Sequence, residues 1–266
     1  MKLNIEHSTR YSWEQQVALS TQYLRMTPQD SAHQKIFSWQ LDLPCEATRT
    51  LDAYGNVLHV LTLDKPHQRL EIAARGVVEI LDEGERTADA DRALSPLIFL
   101  RLTPLTQPNE AIRDFTLRHW RPEAPLASLE TLMDEVLLKM PYRPGSTDVT
   151  DSAAQAFAAG GGVCQDHSHV FLACCRSLTI PARYVSGYLY TDSDAHVATH
   201  AWVEAWLDGA WHSFDITNNT RSTRQHLKLA VGVDYMDACP VRGTRLGGGS
   251  ENMLAVAAVR KASQQQ

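Results

Sequence analysis

The chain has 266 residues, 44% hydrophobic and 21% charged, a composition that supports one large core or two modest ones and excludes wholesale disorder or a fibrous repeat. A net charge of -6 with no basic stripe argues against nucleic acid as a partner. No apolar run approaches the roughly 20 residues that span a bilayer, and the opening MKLNIEHSTRYSW alternates in polarity where a secretory signal has an apolar core, so no membrane partner is expected and the expected compartment is the cytoplasm.

Residues 1–105 read as a β-rich domain. Segments 16–26, 35–43 and 57–63 are separated by Pro, Asp and Gly signals, Tyr54-Gly55-Asn56 marks a hairpin turn, and 70–81 supplies a further strand. An antiparallel sandwich or small barrel is expected. Pro104 and Pro108 then interrupt the pattern and a helix begins near Asn109, which places the boundary of a second domain, 106–266. From Ser128 the segment ASLETLMDEVLLKM has an N-cap, acidic residues early and a basic end, and Pro141 stops it. Asp151 caps a short Ala-rich helix that ends at Gly160, Gly161 and Gly162. Past Cys164, the residues Val170, Phe171, Cys174, Cys175 and Leu178 recur at helical spacing. RYVSGYLY and HAWVEAW then carry strand-like aromatic and branched residues, and the stretch from Gly247 is expected to fray towards its end. The fold class is therefore α+β, with an N-terminal antiparallel β domain and a second domain of helices packed on an antiparallel sheet.

Cysteine usage points to chemistry. Cys45, Cys164, Cys174, Cys175 and Cys239 are odd in number and show no framework spacing, so all are expected as free thiols. Cys164 stands at a helix start, where unpaired N–H groups and the helix dipole favour a thiolate. The alternative is an inert buried thiol beside a capping glycine loop. Cys174 and Cys175 are expected to be structural. A thiol of this kind needs an imidazole in hydrogen-bond reach and a third group to orient that imidazole. His200 opens HAWVEAW, Asp208-Gly209 signals a turn, and WHSFD leads back to Asp215. A four-residue loop sets His200 opposite Asp215. A two-residue loop sets Trp202 opposite Asp215, with His200 diagonal on the same face. Either register makes Cys164, His200 and Asp215 a candidate catalytic triad.

Two rivals stand beside it. Cys164 and His167 can converge on a helix as metal ligands of a hydrolase, but His169 points away and no Cys-x-x-Cys or His-Glu-x-x-His pattern is present. His196 and His200 precede a strand, where their spacing does not bring both to one ion. Asp166 and His167 are expected to brace the loop, and no metal or cofactor is called for. The second rival is a peptide-binding or assembly module without turnover, which has no need of all three triad residue types. Trp202, Trp206, Trp211, Tyr188 and Tyr190 are expected to pack the sheet, with one or two lining a cleft; Tyr142 and Gln165 are neighbours with oxyanion-donor chemistry.

The motifs GGVCQDHSHVFLACCRSLTIPARYVSGYL, HAWVEAW, WHSFDITNN and VGVDYMDACPVRGT resemble the bacterial transglutaminase-like superfamily, whose core is related to papain-like cysteine proteases. YGNVLHVLTLDKPHQRLEIAARGVVEI, preceded by LRMTP, resembles the β-rich N-terminal region that accompanies this core in many bacterial members. The resemblance covers nearly the whole chain. It implies Cys164 as nucleophile, His200 as general base and acid, Asp215 as the orienting residue, and a protein, peptide or small amide as substrate. One departure is Ile216, where the family often has proline.

Overall fold

The computed structural model describes residues 1–81, 86–87, 94–191 and 199–262. The chain begins with β1 (Lys2–Thr27), β2 (Gln34–Asp42), β3 (Ala47–Leu51), β4 (Val57–Leu63), β5 (His67–Ile80) and β6 (Arg86–Thr87). After a short 3-10 helix, Pro96–Leu100, come α1 (Glu110–His119), α2 (Pro125–Lys139), α3 (Ala153–Ala159) and α4 (Cys164–Ser177). The remainder is β7 (Ala182–Leu189), β8 (Thr199–Leu207), β9 (Ala210–Phe214), β10 (His226–Gly232), α5 (Tyr235–Ala238), β11 (Val241–Gly247) and β12 (Glu251–Lys261).

The first sheet is built on β1. Along one side run β4 and then β5, paired with the later and earlier parts of β1; β2 and β3 are its edges. Along the other side run β11 and then β12, antiparallel to the same two parts. All three ribbons break at one level. Pairing with β5 is interrupted between Ser12 and Val17 of β1, and the adjoining ribbon turns through Gly247, Gly248 and Gly249 at φ 86°, 98° and 65°, a left-handed conformation that costs glycine little. Inside the fold Trp13, Val17, Leu24, Met26, Leu61, Leu70, Ile72 and Ala74 form a small core.

The expected boundary at 105/106 therefore does not separate the sheets. β11 and β12 lie in the second half of the sequence but complete the first sheet, because β1 has two hydrogen-bonding edges and local hairpins cover only one. Residues 251–261 of the stretch after Gly247 pair with 3–13, and its end, where fraying is expected, lies outside the described residues.

The second sheet has the antiparallel order β10-β7-β8-β9-β6. Helix α4 packs against β8 and β7 and is flanked by α1, α2 and α3. Every residue of α4 from Gln165 to Arg176 is buried, as suits a central helix enclosed by other elements. Leu3 and Ile5 of β1 join this larger core, so the first sheet also covers the second unit. Two helix starts differ from expectation. Helix α2 begins at Pro125, whose fixed φ suits the first helical position, so Ser128 lies inside the first turn. Helix α3 is capped by Ser152, which forms a reciprocal capping box with Gln155 in place of a cap at Asp151.

Between the sheets, side-chain amides act as strand partners. The Gln34 amide accepts from Lys228 N–H and donates to Lys228 C=O, both at 2.8 Å. Asn56 does the same at Val231, at 2.8 and 2.7 Å. These bonds satisfy the open edge of β10.

Candidate active site

Cys164 is the first residue of α4 and is partly exposed. The turn ahead of it is held by Asp166, whose carboxylate accepts from Val163 N–H at 2.8 Å and from the Thr147 hydroxyl at 2.7 Å. Arg143 N–H donates to Gly162 C=O at 2.8 Å. Segment 142–147 is thus fastened to the approach to the cysteine, and Asp166 braces that loop as expected. Cys164 opens into a cleft of about 600 Å³ lined by Tyr142, Val149, Tyr184, Leu189, Tyr235 and Pro240, among others.

His200 is the second residue of β8, and Asp215 directly follows β9. Pairs from Leu207↔Ala210 to Val203↔Phe214 leave a two-residue Asp208-Gly209 loop, with φ of 49° and 76°, and set the diagonal register. His200 Nε2 donates to Asp215 Oδ2 at 2.8 Å. Cys164 and His200 line the same cleft, and the Cys164 sulfur is among the groups that raise the His200 imidazole. Structure thus brings together the three residues that the motifs single out. Ile216, the departure from the family pattern, is buried in the main core, and the chain turns back through an Asp215↔Thr220 bridge.

The charge states follow from burial and partners. Burial by itself would push the His200 imidazole down, but the hydrogen bonds and charges of Asp215 and Cys164 outweigh it and raise His200 well above the ordinary range. Burial would push Asp215 up; donation from His200 and His226 reverses this and holds the carboxyl far below the usual range. Asp215 is crowded with donors. Oδ2 also accepts from His226 Nε2 at 2.8 Å and Asn218 Nδ2 at 2.7 Å, and Oδ1 accepts from Asn218 N–H at 3.1 Å.

His226 and Asn218 were not legible as site residues. Asn218 has a weak signal, an asparagine three positions beyond the aspartate in a turn. His226 has none, since it stands alone on a strand eleven residues away in sequence.

The remaining expectations divide clearly. Both ring nitrogens of His167, the residue of the metal-ligand rival, are engaged within the protein: Nδ1 is bonded to Thr217 Oγ1 at 2.9 Å and Nε2 to Met140 C=O at 2.7 Å. His169 Nε2 accepts from Tyr235 N–H at 3.2 Å, and burial pushes that imidazole down to about 3. His196 lies outside the described residues. His200, Asp215 and His226 do bring one ligand atom each within 4.8 Å of the others, but the two ring nitrogens act there as N–H donors. Gln165 Nε2 donates to Val149 C=O at 2.9 Å and braces the cleft wall. Cys174 and Cys175 are fully buried, and burial pushes the Cys174 thiol up to about 12. All five cysteines are free. None of the five aromatics expected at the sheet lines the cleft; Trp202, Trp211 and Tyr188 are among the most buried side chains, and Tyr142, Tyr184 and Tyr235 take that place.

A folded-over antiparallel sheet is joined to an α+β core in which a cysteine starts the central helix beside a strand histidine and an aspartate. Residues 118–216 match the family described as the transglutaminase-like superfamily, and residues 3–79 match the bacterial transglutaminase-like N-terminal region. The chain thus carries a transglutaminase-like core, with that N-terminal region in front of it, as the motifs lead one to expect. An uncharacterized protein of Mycobacterium leprae is 29% identical over 98% of this chain and 99% of its own length. A further uncharacterized protein, from Mycobacterium tuberculosis, is 28% identical over 91% of this chain and 87% of its own. Among solved structures, a "putative cysteine protease" from Cytophaga hutchinsonii shares the fold at a TM-score of 0.78 and 22% identity, covering 100% of this chain and 92% of that one. No helix among the described residues is long and apolar enough to cross a membrane.

Proposed function

We propose that the protein is a thiol enzyme acting at an amide bond through a thioester on Cys164. The observation that carries this reading is the meeting, on one cleft, of Cys164 at the start of a buried helix and His200 in its 2.8 Å hydrogen bond to Asp215. In the first half-reaction the sulfur attacks the carbonyl carbon, the thiol proton resides on His200, and the C–N bond breaks as that proton passes to the leaving amine. In the second, water or an acceptor amine attacks the thioester, gives a proton to His200, and expels the thiol. Asp215 keeps the imidazole oriented and stabilises its charge. The backbone N–H of Cys164, at the first position of α4, is the proposed donor to the developing oxyanion.

The substrate is a protein, peptide or small amide whose acyl part is uncharged, because the described cleft lining bears no carboxylate and no lysine or arginine. The chemistry asks for no cofactor. Five free thiols fit a reducing compartment, so the cytoplasm is the proposed location. Incubating the protein with a peptide library, with and without a primary amine, tests the reading by mass spectrometry. Wild type yields hydrolysed or amine-modified products and Cys164→Ser yields neither; turnover retained in Cys164→Ser would sink it.

A further inference from the structure

Asp215 Oδ2 receives two imidazoles, and the mechanism uses only one. His226 sits at the start of β10 with 2% exposure. Its N–H donates to Thr223 C=O at 3.0 Å, its carbonyl accepts from His33 Nε2 at 2.9 Å, and its ring meets Trp202 edge-on at 5.0 Å. An ionised carboxylate can only accept, so Nε2 of His226 must carry a hydrogen, as must Nε2 of His200. The other nitrogen, Nδ1, is buried with no partner. A buried imidazole with one bonded nitrogen gains little for stability. Its one bond goes to the oxygen that orients His200.

Space for this contact is provided in the strand between. Gly187 of β7 pairs with His200 on one side and Lys228 on the other. A Cβ there would run into the Leu227 carbonyl oxygen and come within 2.8 Å of the Trp202 ring. Strand β10 is in turn fixed from outside by Gln34 and Asn56, so His226 is presented from a clamped edge.

We propose that His226 is a positioning residue of the reaction: by donating to Asp215 Oδ2 it fixes the carboxylate where it receives His200, and so sets the imidazole that meets Cys164. The inference rests on the thioester reading. It also gives the N-terminal sheet a part in the reaction, since that sheet holds the strand that carries His226.

The test is iodoacetamide alkylation of Cys164 in the full chain, followed by mass spectrometry from pH 5 to 9, for wild type, His200→Ala, His226→Leu and His226→Gln, with and without a chelator. The titratable groups around His226 are Asp215 and His200 in the site, His33 from the segment before β2, and Lys228 and Glu204 beyond it. These stay constant across the His226 variants. His226→Leu is expected to react about tenfold more slowly at neutral pH, with its pH profile displaced toward that of His200→Ala. His226→Gln places an amide N–H near the same point and is expected to recover to within about threefold of wild type. Wild-type reactivity in His226→Leu, alongside slow His200→Ala, would overturn the proposal. So would His226→Gln as slow as His226→Leu, or a wild-type rate that falls with the chelator. If His200→Ala reacts like wild type, the thioester reading itself fails.

Discussion

The two sheets bury their residues differently. Most of β1 alternates between exposed and buried positions, so the first sheet has one wet face and one covered face. Strands β7 and β9 are buried at nearly every position, so the second sheet is covered on both. Polar groups on the first sheet can use water. On the second they need protein partners, and there the buried charges and imidazoles gather: Asp215 among three side-chain donors, and Glu204 against Arg183 and Lys228. His200 and Asp215 belong to the covered second sheet and meet Cys164 of α4 at a cleft, and the other sheet serves as a brace.

The difference can be broken most severely at Asp215. Replacing it with Asn keeps the shape but removes the charge that favours the imidazolium and alters which nitrogen carries hydrogen, and kcat is expected to fall on the order of 10³-fold or more. Steady-state kinetics of a folded Asp215→Asn variant checks this.

Glu204 comes next. It is 1% exposed and bonded to Arg183 at 2.6 Å and to Lys228. Burial would push its carboxyl up, but the two cations outweigh burial and hold it down at about 2. Glu204→Gln removes the buried carboxylate that faces two cations and is expected to cost about 3 kcal/mol in urea unfolding. The pH dependence has a fixed sign. A carboxyl lowered in the folded state contributes stability above its unfolded pKa of about 4.3, and that contribution is lost as pH falls toward 2. Acid titration of unfolding should therefore show a smaller loss over this window in Glu204→Gln than in wild type.

The brace itself is tested by Asn56→Ala. This leaves Val231 N–H and C=O unpaired at the β10 edge and is expected to cost about 1–3 kcal/mol. With β10 loosened, alkylation of Cys164 should also slow; an unchanged rate at lowered stability would confine the first sheet to a structural part. At the small end stands Thr48→Ala on the exposed edge strand β3, expected within about 0.5 kcal/mol of wild type in the same unfolding experiment.

Legibility in the sequence follows the same division. Helix α4 and the β8–β9 hairpin are local, and their periodicity and turn chemistry bring Cys164, His200 and Asp215 into view. Hairpin parity left two registers open, and the two-residue Asp208-Gly209 loop decides between them because both residues adopt positive φ. What stayed hidden depends on long-range pairing. Strands β11 and β12 close an edge of β1 more than 200 positions away in sequence, and no local pattern announces that. His226 reaches Asp215 only because β10, β7 and β8 lie side by side with Gly187 between, a juxtaposition set by sheet order. Helix starts were misplaced by a few residues where Pro125 and Ser152 compete with nearby capping residues.

The most direct measurement is competitive labelling of the native protein with limiting iodoacetamide at neutral pH. Cys45 is exposed and Cys164 only partly so, and accessibility alone therefore favours Cys45. Activation by His200 and Asp215 predicts that Cys164 is labelled first, and by a wide margin. Faster labelling of Cys45 would contradict an activated thiol at the start of α4.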